Sequence, residues 1–412
     1  MKKKLLSLML CVVMVAAIVC ALVACEEEDY DYKITVWVGE GMKDLTAQQI
    51  KTFNETNEWG IKFKATIEIV SESKAVGDAV QKPASCADIF CFAQDTLARA
   101  VTGNLLQTLN SDSVAAIEAN NEADSIAAAT IGDYIRAFPM TADNGYFMYY
   151  DKRVITDDVD KTSLEALLDA CGNAGKKFAM LLEEDGGWYA ASFFYAAGAK
   201  SEWVTDEDGF FTNYTDTFAD EEGLIALQGM QKILKHKAHI ESDKAATFSA
   251  GIPSAVVISG IWDYNTALSA LGEQNLGIAP LPSYEVNGEH YQLKSYLGHK
   301  LMGVKTQSDG YKSYYLQALA SYLTSEECQL QRFQQKHWGP ANKNLKTRAE
   351  ILQFEALNVL RTNTVAQGQY PTEWWADLAI LTGSAHTSNS DLSSLQALLD
   401  QYDSNLSKYL KK

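Results

Sequence analysis

Between Lys33 and Ala100 a strand-like run is followed three times by a helical one, and this alternation restricts the fold more than any other feature. Lys33 to Gly39 (KITVWVG) alternates with period two, and Leu45 to Thr56 has helical spacing. Ile61 to Val70 alternates again and Ser73 to Val80 reads as a helix. Asp88 to Phe92 (DIFCF) supplies an apolar strand before a helix that runs through Ala100. Strands separated by helices pair side by side rather than as hairpins, which predicts a mainly parallel α/β sheet. Open sheets of this kind place ligands beyond the carboxyl ends of their strands. Trp37, Phe92 and Trp262 each fall near such an end.

The stretch Ala255 to Asn265 (AVVISGIWDYN) gives the most pointed local reading. Val256, Val257 and Ile258 suit a strand buried on both faces, Gly260 suits a tight turn, and Trp262 follows at once. A large aromatic there is either a ligand platform or a plug that closes the core. Glu40 and Asp95 lie just beyond two other strand ends and could accept hydrogen bonds from ligand hydroxyls, or cap helices. Asp143 precedes an extended aromatic run, Gly145 to Tyr150 (GYFMYY). Trp188 and Tyr189 open a helix beside acidic residues, and Trp374 and Trp375 open another near the C-terminus. A hairpin tip is expected at Asn287-Gly288 and a polar turn region at Phe210 to Thr217.

The first residues stand apart from this globule. Lys2 to Lys4 form a positive segment, and Leu5 to Val23 is an apolar stretch suited to a secretion signal. It closes on Leu22-Val23-Ala24-Cys25, which resembles the lipobox of bacterial lipoproteins. The resemblance implies cleavage before Cys25 and a diacylglycerol on its thiol, the alternative being an uncleaved anchor. Residues 1–24 are then a signal peptide and residues 25–32 a lipidated tether. Removing residues 1–24 takes away three lysines and no acid, so the net charge moves from −18 to −21. So acidic a surface repels nucleic acid and anionic membrane, leaving the lipid to hold the protein at the bilayer. Cys86, Cys91, Cys171 and Cys328 form no CxxC pair, and free buried thiols are favoured over a Cys86–Cys91 disulfide. Six histidines without HxxxH or HExxH spacing point to no metal site, and no cofactor motif is present.

Several segments, in order, resemble the extracellular solute-binding proteins of ABC importers, in their maltose/maltodextrin-binding branch. KITVWVG is similar to that family's first strand, and DIFCFAQDTLARAVTGNLLQTL to its segment of apolar strand, Asp and G-L-L. FPMTADNGYFMYYDKRVI resembles the first crossing into the second lobe, GIPSAVVISGIWDYN the strand and turn before a stacking Trp, and YLTSEECQLQRF the F-L-T-S-E-E helix. The resemblance implies a two-lobed, type II-like periplasmic-binding-protein fold with a ligand cleft between discontinuous lobes. Residues 33–140 plus 297–338 would form one lobe, and residues 141–296 plus 339–412 the other. It also implies a monomeric oligosaccharide receptor, with malto-oligosaccharide favoured and no catalysis, serving a permease at the extracellular face of a Gram-positive cell membrane. Carried over position by position, Trp262, Trp188 and Trp375 or Trp374 match stacking aromatics, Phe92 the aromatic before Asp95, and Asp95, Glu40 and Asp143 hydroxyl-binding carboxylates; Tyr189 accompanies Trp188. The family's Pro before the stacking Trp is Ile261 here, and its Arg after the first-lobe Asp is Thr96. Two rivals are a binding protein of the same architecture for a polyamine, cation or peptide, and a surface glycoside hydrolase, for which no carboxylate pair stands out.

Overall fold

A computed structural model describes residues 29–183 and 186–410, so Cys25, the segment before it, Glu184 and Asp185 lie outside the described residues. The predicted alternation forms the first sheet. Tyr32–Val38 lies between Phe63–Ile69 and Ile89–Ala93, parallel to both. Ser295–Val304 then runs antiparallel to Ile89–Ala93 on one side and to Phe138–Asn144 on the other. Its first residues also pair in parallel with Thr364–Ala366 at the edge. The second sheet has the order His239–Ile240, Lys177–Ala179, Ser254–Gly260, Tyr146–Asp151, Leu276–Ala279. Tyr146–Asp151 is antiparallel to both its neighbours, and the other four strands share one direction.

The chain passes from one sheet to the other at Gly145, between Phe138–Asn144 and Tyr146–Asp151. A Cβ at Gly145 would lie 2.0 Å from the Tyr296 carbonyl oxygen, so only glycine lets the returning strand pass this closely. Behind the first sheet pack the helices Lys43–Thr56 and Gly310–Leu323. Behind the second pack Gly187–Ala197, Glu221–Leu234 and Thr372–Thr387, so the C-terminal residues return to this half of the molecule. Among the described residues no helix is long and apolar enough to cross a membrane. Cys86, Cys91, Cys171 and Cys328 are buried and free, and burial pushes the Cys91 thiol up to about 12.

Two local expectations differ in outcome. Asn287 and Gly288 take φ of 55° and 86° and join Ser283–Val286 to Glu289–Gln292 as the expected hairpin. Phe210 to Thr217 is not a turn region: Phe211–Asp216 pairs antiparallel with Ser201–Thr205. Four of its six residues are polar because this ribbon is half exposed on the surface, while Phe211 and Tyr214 pack on Trp203.

Candidate functional site

Trp262 sits in the short turn Ile261–Asp263 that follows Ser254–Gly260, so the buried strand delivers its indole beyond the carboxyl end of the sheet. The Asp263 carboxylate fixes the turn by accepting from the Ala245 N–H and the Ser259 hydroxyl, each at 2.9 Å. Gly260 is extended, with φ −97° and ψ −175°, so the reading of a turn glycine is corrected. Glycine is needed because a Cβ there would stand 2.1 Å from the Trp262 ring, which lies over it.

Trp188, in the first turn of Gly187–Ala197, brings its ring 6.1 Å from Trp262, tilted by 35°. The same ring lies 6.1 Å from Tyr296 and nearly parallel to it, at 8°, and 4.8 Å from Tyr146. Tyr296 is in turn 5.8 Å from Trp375. Trp262, Trp188, Tyr296 and Trp375 thus form a continuous aromatic band spanning the two sheets. The Trp188 indole N–H is buried and unpartnered, whereas the Trp375 N–H donates to the Asp95 carboxylate at 3.0 Å. Trp375 belongs to a helix of the second half and Asp95 to the first, so this bond also crosses between them.

Burial pushes the Asp95 carboxyl up from 3.8 to about 6, although the Trp375 N–H opposes the shift. A carboxyl raised in this way holds its proton more tightly folded than unfolded. Stability is therefore greatest at low pH, as far as this group is concerned, and is lost as pH rises from 3.8 to about 6. Asp95→Asn keeps an acceptor for Trp375 and removes the titration. We expect the variant to gain on the wild type between about pH 4 and about pH 7, by at most about 3 kcal/mol. Melting curves that stay parallel over that range would reject this account.

The other residues singled out in the sequence are placed differently. Trp374 is 0% exposed: it stacks on Tyr370 at 4.5 Å, and its N–H is 2.6 Å from the Tyr402 hydroxyl. Phe92 is also fully buried, against Phe90 on the face of the first sheet opposite the helices Lys43–Thr56 and Gly310–Leu323. Tyr189 is buried and donates its hydroxyl to Asp243 at 3.0 Å. Glu40 is exposed in the turn after the first strand. Asp143 is fully buried; one oxygen accepts from the Gly339 N–H at 2.6 Å and the other has no partner. Burial raises its pKa, and the Lys300 charge opposes the rise.

Lys300, Glu72 and Tyr296 were missed. Lys300 is only 4% exposed and lies between Ala93 and Thr141 at the same strand ends. Its ammonium is 3.7 Å from the centre of the Trp338 ring, 5.0 Å from that of Trp262 and 3.8 Å from a Glu72 oxygen. The signal was available: Lys300 is the one Lys, Arg, Asp or Glu in the strand SYLGHKLMGV.

The family model described as "Bacterial extracellular solute-binding protein" matches residues 48–357, and the chain belongs to that family of solute-binding, not catalytic, proteins. Solved structures share the two-lobed α/β fold. The maltodextrin-binding protein MalE1 from L. casei BL23, without ligand, is 22% identical over 91% of this chain and 98% of its own, with a TM-score of 0.74. The GacH receptor of Streptomyces glaucescens, solved unliganded and with acarbose, is 17% identical over 92% and 100%, with a TM-score of 0.74. The Thermus thermophilus maltotriose-binding protein, bound with maltotriose, is 18% identical over 90% and 100%, with a TM-score of 0.71. No curated protein sequence matches this chain.

Proposed function

We propose that this chain is the carbohydrate receptor of an ABC importer and takes an oligosaccharide, with malto-oligosaccharide favoured, into the cleft between its lobes. The division at residues 33–140 plus 297–338 and 141–296 plus 339–412 belongs to this reading, as do the lipid anchor at Cys25, the monomeric state and a permease partner at the extracellular face. The aromatic band from Trp262 through Trp188 to Trp375 carries the argument. A pyranose has an apolar C–H face and a rim of hydroxyls. Indole rings cover the face at small entropic cost, while carboxylates such as Asp95 and Glu40 accept strong hydrogen bonds from the rim. A band of several rings suits several sugar units rather than one. In this division Trp188 and Trp262 lie on one lobe and Asp95 on the other, so a ring enters while the cleft is open and is enclosed as it closes.

The test is a thermal-shift titration of the chain from residue 26 onward, which contains every described residue. Its panel runs from maltose to maltoheptaose, with cello-, xylo- and fructo-oligosaccharides and spermidine. A ligand that binds only the folded protein raises the melting temperature, and the α-glucan series is expected to do so. A shift with spermidine and with no sugar would overturn the proposal.

A further inference from the structure

Lys300 and Glu72 are expensive residues to place where they are. A desolvated ammonium is tolerated only with close, well-directed partners. The Glu72 oxygen at 3.8 Å is beyond hydrogen-bond distance, and two indole faces and the buried Asp143 carboxyl supply the remaining attraction. Among the described residues no oxygen accepts a hydrogen bond from the Lys300 ammonium, and Glu72 Oε1 is buried without a donor. The donor head, 5.0 Å from the centre of the Trp262 ring, and the acceptor beside it thus stand unfilled. An apolar side chain between Ala93 and Thr141 would fill the strand at less cost.

We propose that Lys300 is the specificity-determining residue of the cleft. Its ammonium and the Glu72 carboxylate hydrogen-bond neighbouring hydroxyls of a ring seated against Trp262, and its charge turns away cations. The site therefore takes neutral polyhydroxylated molecules and rejects polyamines, despite the acidity of the whole chain. This deepens the carbohydrate reading and rests on it for the sugar, but the rejection of cations is testable without any sugar.

Calorimetry on the wild type, Lys300→Met and Lys300→Gln would use maltotetraose and spermidine, with circular dichroism confirming that each variant is folded. Maltotetraose affinity is expected to fall by about tenfold or more in both variants, the effect of losing a charged hydrogen bond. Spermidine should give no heat with the wild type and should bind both variants in a salt-sensitive way, because Glu72 is then left as an uncompensated carboxylate. The double variant Glu72→Gln/Lys300→Met should lose that spermidine binding. Folded single variants that bind maltotetraose within about twofold of the wild type would overturn the assignment. So would spermidine binding to the wild type, or none by the variants. If no sugar binds the wild type, the carbohydrate reading fails while the spermidine titrations still decide the role of Lys300.

Discussion

Trp262→Ala is expected to weaken maltotetraose binding by about 1–3 kcal/mol, or about fivefold to about 150-fold in Kd. The estimate follows from the apolar area that an indole removes from water when a sugar face covers it. The ring stands in a short turn fixed by Asp263, whose bonds to Ala245 and Ser259 do not involve the indole, so the fold should survive the change. Trp262→Phe should retain part of the affinity, because a smaller ring still offers a flat face. Trp375→Ala should also weaken binding, and it removes the bond to Asp95. Titration calorimetry on the three variants decides. Both alanine variants within about twofold of the wild type would end the stacking account.

Trp374→Ala should act on stability instead. The side chain has no exposed surface, stacks on Tyr370 and reaches the Tyr402 hydroxyl and the Asp216 carboxylate. Its loss leaves a large cavity together with polar groups deprived of a partner. Replacing a buried Trp by Ala typically costs about 3–5 kcal/mol, and orphaned partners add to that. Chemical unfolding should show the loss directly, while affinity per folded molecule should change little. A loss below about 1 kcal/mol would mean that the helix Thr372–Thr387 repacks around the gap.

The contrast between these neighbouring tryptophans marks a limit of the sequence. Consecutive residues on a helix point about 100° apart, so one of the pair enters the core and the other lies at its edge beside Tyr296. Which does which depends on how Thr372–Thr387 is rotated against Gly187–Ala197, a relation between segments far apart in the chain. The same limit hid Phe211–Asp216, whose pairing with Ser201–Thr205 leaves no apolar pattern to read. What local chemistry dictates was legible: apolar strands alternating with helices, the Asn287-Gly288 turn, and the arrival of Trp262 at a strand end. Lys300 was legible as an anomaly, a lone charge in an apolar strand, yet its meaning appears only when Glu72, Trp338 and Trp262 are brought around it.

The close passage of Gly145 beneath Tyr296 has a mechanical consequence. Two strands that touch at one point form a fulcrum, and when one lobe turns about it every atom sweeps an arc in proportion to its distance. Tyr296, whose carbonyl touches the fulcrum, barely moves, whereas side chains far from it sweep widely. A few degrees of rotation at Gly145 would therefore become a wide gape at the far edge of the cleft. An arriving chain would meet the fast-moving lip first and the nearly stationary throat last.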